Sequence, residues 1–361
     1  MHVPDGFINA PVSAAAGLVA AGAVAAGLRG ARRELGGERT APLAGLVAAF
    51  IFAVQMLNFP VAAGTSGHLL GGALAAILVG PWTGMLCIAV VLLMQGVLFA
   101  DGGLTALGVN ITVMGGVTVL VAYGLFRALV KVLPRTRRSV TAATFVAALV
   151  SVPASAAAFT LIYAVGGTTD VPVGKVLAAM LGVHTLIGIG EAAITTATVG
   201  AVIAVRPDLV YGARGLTAPL KLRVGGELVD AAPAARPAPA AVGTRKVWAA
   251  GLAVSVLLAG FVSFHASANP DGLEKVAADH GIDSKVQEHA AADSPLADYG
   301  VKDLTDARLS GGLAGTIGVG ATLALGTGVF WAARRRRTPG EPADDSAQQQ
   351  ARPAPRSREA L

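Results

Sequence analysis

Two histidines in this sequence have the surroundings of a metal site. His2 is the second residue of the chain, and His68 lies in the stretch GTSGHLLGG at 64–72. A histidine at position 2 is chemically unusual, because the α-amine of Met1, the His2 backbone nitrogen and the His2 imidazole can all face one ion through small chelate rings. With His68 as a fourth donor the site is tetragonal and all-nitrogen, which Ni(II) and Cu(II) prefer, with Co(II) close behind. The pattern therefore predicts capture of a transition-metal ion.

The neighbours of both histidines matter here, because a terminal histidine is often frayed chain and a loop histidine is often only solvated. The stretch VPDG at 3–6 is rigid and turn-forming, and the glycines around His68 let another segment approach closely. Asn58 and Ser66 are candidate hydrogen-bond partners of the ligands, with helix-end capping as an equal alternative. We expect the first helix to be uncleaved, because Asp5 stands where a signal peptide has Lys or Arg.

Two ionisable residues, His184 and Glu191, fall within one predicted membrane helix. They are seven residues apart and share a face, but a separation of ~10 Å is too long for one metal shell. Ionisable side chains inside a membrane are functional by default. We interpret Glu191 as a buried polar contact, either to a partner subunit or within the fold. Asp101, in the sequence Asp-Gly-Gly, is expected to face outward and to form a turn, with attraction of cations as the alternative.

Composition indicates an integral membrane protein. Of the 361 residues, 54% are hydrophobic and 14% are charged, whereas a soluble domain is about one-quarter charged. The single cysteine, Cys87, excludes an internal disulfide and a cysteine-based zinc site. The net charge of +6 is concentrated just outside apolar segments, as in membrane proteins, so nucleic acid is not expected as a partner.

Nine apolar segments are candidates for membrane helices, which need ~20 residues. They are 11–28, 42–60, 68–81, 84–99, 105–131, 141–165, 175–205, 247–264 and 311–333. The third is short, because Pro81 and Trp82 end it, and it either tilts or spans only in part. Basic clusters follow odd-numbered segments, which predicts an outside N-terminus, a cytoplasmic C-terminus and metal-binding residues on the outer side. The fold class is an all-α integral membrane protein.

Composition also divides the chain into two helical units. Residues 1–205 form a predicted seven-helix core, 206–245 a cytoplasmic linker with an Ala/Pro-rich tether, 246–333 a two-helix unit with an external loop at 265–310, and 334–361 a disordered cytoplasmic tail. Within the external loop, Asp271 to Glu274 has the pattern of a capping box, which predicts a short helix that ends at Gly281.

Catalytic signatures are missing from the sequence. No G-x-x-x-x-G-K-[ST] phosphate loop occurs, since Gly174 and Lys175 are followed by Val176, so the chain is not expected to hydrolyse ATP. There is no nucleophile elbow and no HExxH motif. We therefore expect a protein that is not an enzyme and holds no permanent cofactor, with Co(II) or Ni(II) as its transported substrate.

Several stretches resemble the CbiM/NikM family, the substrate-binding subunits of energy-coupling factor transporters for cobalt and nickel. They are MHVPDGF at 1–7, QMLNFPVAAGTSGHLLGG at 55–72, DGGLTALG at 101–108 and GIGEA at 188–192. This resemblance covers about residues 1–205. The sequence PDGLE at 270–274 resembles the signature of the small CbiN/NikN-like accessory component, which is here joined to the core in one chain.

The resemblance implies both the ligands and the partners. In that family the N-terminal segment threads into the bundle, and its amine, second residue and a loop histidine bind metal; by resemblance these roles fall on Met1, His2 and His68. It further implies two cytoplasmic ATPase subunits, a transmembrane coupling subunit and a place in the bacterial cell membrane.

The implied function is substrate capture as the permease subunit of an energy-coupling factor ABC importer, with cobalt favoured for cobalamin biosynthesis. The Pro-Asp-Gly form of the N-terminal stretch looks like the cobalt branch, and nickel uptake is the alternative. An alternative of another class is a membrane structural or assembly protein whose histidines are incidental.

Overall fold

The protein is helical throughout most of its length. The computed structural model describes residues 1–35, 40–62, 64–134, 136–214, 221–224, 227–230 and 243–335. Its helices are α1 (Ala10–Glu34), α2 (Thr40–Gln55), α3 (Gly72–Val79), α4 (Pro81–Leu98), α5 (Leu107–Asn110), α6 (Thr118–Val132), α7 (Arg137–Gly166), α8 (Val173–Val205), α9 (Thr244–Gly260), α10 (Gly272–His280) and α11 (Ala307–Arg335). A π-helical turn, Ile111–Val117, joins α5 to α6, so that these three pieces form one continuous helix.

Seven of these helical segments are long and apolar enough to cross a membrane. Within the described residues they are Ala10–Glu34, Pro81–Leu98, Leu107–Val132, Arg137–Gly166, Val173–Val205, Thr244–His265 and Ala307–Ala333. Helix α2 is apolar but shorter, at 16 residues. The prediction of an all-α integral membrane protein is confirmed.

The prediction of a membrane helix over 68–81 is wrong in its extent. Helix α3 has only 8 residues, about 12 Å of length, because Ser66–Gly67 is a β-strand, residues 68–71 have no regular structure, and Gly71 adopts a left-handed conformation at φ +84. The helix starts beside His68 and ends at Gly80, where an added Cβ would lie 2.5 Å from the Glu34 carboxyl carbon at the far end of α1. The loop therefore enters the bundle before α3 begins, and the short helix α3 covers the remaining distance to the end of the bundle where Glu34 lies.

Two short β-hairpins accompany the helices. Strands β1 (Phe59–Pro60) and β2 (Ser66–Gly67) pair antiparallel directly before α3. Strands β3 (Lys221–Val224) and β4 (Glu227–Asp230) pair within the predicted linker 206–245. The Ala/Pro-rich part of that linker and the tail beyond Arg335 lie outside the described residues.

The C-terminal helices pack closely on the core. A Cβ at Gly318 of α11 would lie 2.2 Å from the Phe52 ring of α2, and a Cβ at Gly45 of α2 would lie 2.3 Å from the Thr327 hydroxyl of α11. Small residues at such crossings are how helices associate in lipid. The predicted two-helix unit is therefore packed directly against the seven-helix core.

One end of the bundle, here called the site end, gathers residues 1–9, 56–62, 64–71, 99–106, 167–172 and 261–306. Backbone hydrogen bonds connect these segments: Gly103 N to Val3 O, Thr168 N to Phe7 O, Ser66 N to Pro270 O and Asp298 N to Phe99 O. All the segments predicted to face outward therefore meet at one place. That this end faces outward stays a prediction.

Candidate metal centre

The first residues of the chain are inserted into the bundle. Met1 is 2% exposed and Val3 is fully buried. Asn110, at the start of the π-helical turn, accepts from Val3 N at 2.7 Å and donates to Val3 O at 3.1 Å. Gly103 N donates to the same carbonyl at 2.9 Å. The backbone around His2 is therefore fixed by groups of the core, since buried backbone groups need such partners.

Asp5 holds the turn that follows. Its carboxylate accepts from Leu104 N at 3.2 Å and from the Thr105 backbone N–H and hydroxyl at 2.8 and 2.5 Å. Gly6 next to it has φ +92, and a Cβ there would lie 2.0 Å from the Lys285 carbonyl. The turn expected from the Pro-Asp-Gly sequence is thus present, and it directs the chain back out of the bundle into α1.

The His68 loop is held from α8 and α2. Glu191 accepts from Leu70 N at 2.5 Å and from Gly71 N at 3.0 Å, and Gln55 donates to Leu70 O at 3.0 Å. Glu191 therefore makes a contact within this chain, because its carboxylate accepts from two backbone N–H groups in the non-helical residues before α3. Of the two alternatives that the sequence left open, a contact with a partner subunit and a contact within the fold, this is the second.

The α-amine and the His68 imidazole are in direct contact. The Met1 nitrogen lies 2.6 Å from His68 Nε2, while His68 Nδ1 donates to Leu69 O at 3.0 Å. Because a carbonyl only accepts, the proton resides on Nδ1, and Nε2 presents its lone pair to the amine. The imidazoles of His2 and His68 are stacked, with centroids 5.0 Å apart and planes 7° apart. The structure therefore brings all three predicted ligand residues together.

His2 differs from the prediction in one respect. Its Nδ1 lies 2.9 Å from Asp101 Oδ1, and the Tyr299 hydroxyl donates to Asp101 Oδ2 at 2.5 Å. Burial acts to raise the pKa of Asp101, but the His2 imidazole and the Tyr299 hydrogen bond bring it down to about 2. Nδ1 is the only ring atom that forms a small chelate with the His2 backbone nitrogen, so the ring must leave Asp101 to complete that chelate. Within the part of the chain that the structure describes, His2 Nε2 is buried and has no hydrogen-bond partner.

Asp101 therefore does more than the turn predicted for it, since it also orients His2. A carboxylate that holds a ligand imidazole is a common feature of metal sites. The sequence contained no sign of this, because Asp101 is 99 residues from His2.

A second carboxylate reaches the amine from the C-terminal unit. Asp271 Oδ2 lies 2.5 Å from the Met1 nitrogen and 3.6 Å from His68 Nε2. Burial opposes ionisation of Asp271, but the adjacent N-terminal charge holds its pKa well below the usual 3.8. Its Oδ1 accepts from Glu274 N, and the Glu274 side chain accepts from Asp271 N, so the predicted capping box is confirmed, as is the helix end at Gly281.

The sequence pattern predicts Asp271 as the N-terminal cap of a helix. A capping box uses one carboxylate oxygen and leaves the other uncommitted. That free oxygen, together with the PDGLE resemblance, was the available signal.

The other predicted residues surround the centre without joining it. The Ser66 hydroxyl donates to Asn269 O at 2.7 Å and to Pro270 O at 3.2 Å, so it holds the PDGLE segment. The Asn58 carbonyl accepts from Ser267 N, and its side-chain oxygen has no hydrogen-bond partner among the described residues. His184 is buried, and its Nδ1 donates to Met180 O at 2.8 Å. Neither Asn58 nor Ser66 contacts a proposed ligand.

A cavity of about 880 Å³ leads to the two stacked imidazoles. Carboxylates are prominent in its lining: Asp101, Asp271, Glu274, Asp283 and Asp298, with Arg308 among its few basic groups. The negative electrostatic potential of these carboxylates raises the local concentration of cations. The cavity therefore connects the candidate ligands with the surroundings of the site end.

The donors include main-chain nitrogens. Among the described residues, no group of three or more His, Cys, Asp or Glu side chains has the arrangement of a metal site by itself. The α-amine and the His2 backbone nitrogen would have to contribute, as the position of His2 predicts.

Comparisons with known proteins assign both units. Residues 2–209 match the profile of the cobalt uptake substrate-specific transmembrane region, CbiM, and residues 245–335 match the PDGLE domain. A Haloquadratum walsbyi protein named for metal transport is 41% identical over 58% of this chain and 94% of its own length. An Archaeoglobus fulgidus protein named for fused nickel transport, NikMN, is 41% identical over 58% of this chain and 68% of its own. A crystal structure of a transition metal transporter is 26% identical, with a TM-score of 0.50, over 57% of this chain and 93% of that one.

Proposed function

The chain belongs to the CbiM family of cobalt-uptake transmembrane proteins, and we propose that it is the substrate-capture permease subunit of an energy-coupling factor importer for a divalent transition metal. It is a multi-pass membrane protein of a cobalt and nickel transport family. The observation that carries the proposal is the 2.6 Å approach of the Met1 amine to His68 Nε2, beside the His2 ring. Two nitrogens on one ion in a square arrangement lie about 2.9 Å apart, given bonds of about 2.0–2.1 Å.

The proposed ligands are the Met1 amine, the His2 backbone nitrogen and imidazole, and His68 Nε2. The amine must lose one proton and its contact with Asp271, and the His2 backbone nitrogen must lose its proton. The His2 ring must turn from Asp101 toward the ion, and its proton must move from Nδ1 to Nε2 so that the Nδ1 lone pair is free to bind. These exchanges replace hydrogen bonds by metal bonds within a site that the core already holds in shape. Preformed nitrogen donors of this kind suit Ni(II) and, with a further ligand, Co(II).

The partners in this proposal are two cytoplasmic ATPase subunits and a transmembrane coupling subunit. The sequence has no phosphate loop of its own, so energy must come from elsewhere. The ion is captured at the site end, which we place outside, and is released after the partners reorient the subunit.

Cobalt is the favoured substrate, for cobalamin biosynthesis. The matched family profile is described for cobalt uptake, and the Pro4-Asp5-Gly6 sequence resembles the cobalt branch. Nickel uptake is the alternative, supported by the relative named for nickel transport.

A variant of His68 tests the proposal. We expect His68→Ala to lose high-affinity binding of Co(II) and Ni(II) in calorimetric titration of the purified full chain, by at least about 100-fold, because a direct nitrogen donor is removed. The matched control is His265→Ala, since His265 is exposed and lies outside the centre. Unchanged affinity in His68→Ala, with the same elution volume as wild type, would exclude this site.

A further inference from the structure

Asp271 occupies a position that a charge partner of the amine alone would not require. Its Oδ2 is close to two proposed ligand atoms at once, 2.5 Å from the Met1 nitrogen and 3.6 Å from His68 Nε2. The amine therefore donates toward two acceptors, the carboxylate and the imidazole, and the lone pairs of both acceptors converge on one cationic group.

The three donor atoms fit around a single ion. The Met1 nitrogen, His68 Nε2 and Asp271 Oδ2 form a triangle with sides of 2.6, 3.6 and 2.5 Å. A point equidistant from its corners lies about 1.8 Å from each, so an ion about 1 Å above the plane is about 2.1 Å from all three, a usual metal–ligand distance. Of the hydrogens on these three groups, only one amine proton has to leave.

Charge favours the same arrangement. The amine and the imidazoles are uncharged when they bind a metal, and a deprotonated His2 backbone nitrogen offsets only one of the two charges of the ion in a buried site. Burying an unpaired charge is costly. Asp271 is 7% exposed and is the carboxylate that contacts the amine, so it can supply the compensating charge at the ion itself.

Contacts on both sides of Asp271 hold its carboxylate in a nearly fixed position. The capping box fixes its Oδ1, and Ser66 holds the two preceding carbonyls. A Cβ on Gly272 would lie 2.8 Å from Ile187 and 2.9 Å from Val183, so only glycine lets the segment approach this closely.

We propose that Asp271 is a direct ligand of the transported ion, so that the C-terminal unit adds a carboxylate oxygen to the nitrogen donors of the core. This inference rests on the proposed function. On binding, Oδ2 moves from the amine to the ion while the amine proton is released. An oxygen outside the nitrogen plane suits Co(II) and disfavours a planar, four-nitrogen Ni(II) complex.

Two measurements on the purified full chain test the assignment of Asp271 as a ligand: the affinity for metal ions and the magnetic state of bound Ni(II). We expect Asp271→Ala to weaken Co(II) binding by about 100-fold and Ni(II) binding by less, with Asp279→Ala as the matched control because Asp279 is exposed on the same helix and pairs with Lys275. Bound Ni(II) should be paramagnetic in wild type, because a fifth ligand is present, and diamagnetic in Asp271→Ala, where four planar nitrogens remain.

The outcomes separate the two proposals. Equal Co(II) affinity in wild type and Asp271→Ala, or diamagnetic Ni(II) in wild type, overturns the Asp271 assignment and leaves the nitrogen site standing, provided that His68→Ala has lost binding. If both His68→Ala and Asp271→Ala bind Co(II) as tightly as wild type, the proposed function is overturned as well. If Asp271→Ala does not fold, Asp271→Asn keeps the cap to Glu274 and removes the charge, and unchanged Co(II) affinity in that variant overturns the assignment.

Discussion

At the scale of single residues, the chemistry depends on which ring nitrogen carries the proton. Leu69 O fixes the proton of His68 on Nδ1, which leaves Nε2 directed at the amine. Asp101 fixes the proton of His2 on Nδ1 as well, and this is the nitrogen that the small chelate requires. One imidazole is therefore ready to bind, and the other must change partner first.

Metal affinity should depend steeply on pH. Burial and the nearby N-terminal charge hold the pKa of His68 below its usual 6.5, so this imidazole is neutral at pH 7 and remains neutral at somewhat lower pH. The protons displaced by the ion therefore come from the Met1 amine and, if it binds, the His2 backbone nitrogen. We expect the apparent affinity to fall about tenfold per pH unit for each proton displaced.

Calorimetry in buffers with different ionisation enthalpies counts these protons. Two protons released per ion would support binding by both main-chain nitrogens, and one would support the amine alone. An affinity that is the same at pH 6 and pH 7.5, with no proton released, would contradict amine coordination.

At the scale of elements, two interrupted segments make the centre possible. The loop before α3 is not helical, and Glu191 accepts hydrogen bonds from two of its backbone N–H groups. The helix that contains α5 and α6 is interrupted by a π-helical turn, and Asn110 lies where the turn begins. Interruptions of this kind are common at functional sites, since regular helices leave no room for another chain segment.

Removing the Asn110 side chain should weaken metal binding without unfolding the bundle. In Asn110→Ala the buried Val3 N–H loses its acceptor, which costs about 1–3 kcal/mol. If the inserted segment is ordered by this contact, affinity should fall about 5–150-fold. Asn269→Ala, an exposed position, is the control, and titration of both variants is the measurement. Wild-type affinity in Asn110→Ala would show that the N-terminal segment does not depend on this clamp.

Local patterns in the sequence predicted most of the elements. Apolar runs predicted the long membrane helices, and the Asp271-to-Glu274 pattern predicted α10 with both of its ends. The length of α3 could not be predicted in this way, because composition does not reveal that residues 66–71 enter the bundle without forming a helix. The roles of Asp101 and Asp271 were also out of reach, since partners separated by 99 and 270 residues leave no periodicity.

At the scale of the whole molecule, the two units share one centre. Met1 of the core contacts Asp271 of the C-terminal unit, and Asp5 O accepts from Gln287 N. A structural or assembly protein with incidental histidines gives no reason for a buried amine, two stacked imidazoles and two ionised carboxylates to meet at the end of an acidic cavity. Metal capture accounts for each of these groups.

Blocking the α-amine tests the central claim most directly. We propose to extend the N-terminus by four Gly/Ser residues, which turns the amine into an amide and moves the new amine away from His68, and to titrate this chain and wild type with Co(II) and Ni(II). One ion per chain should bind to wild type, and high-affinity binding should be absent from the extended chain while it keeps the elution volume and helix content of the folded wild type. Equal affinity in the two proteins would contradict a metal centre built on the first residue.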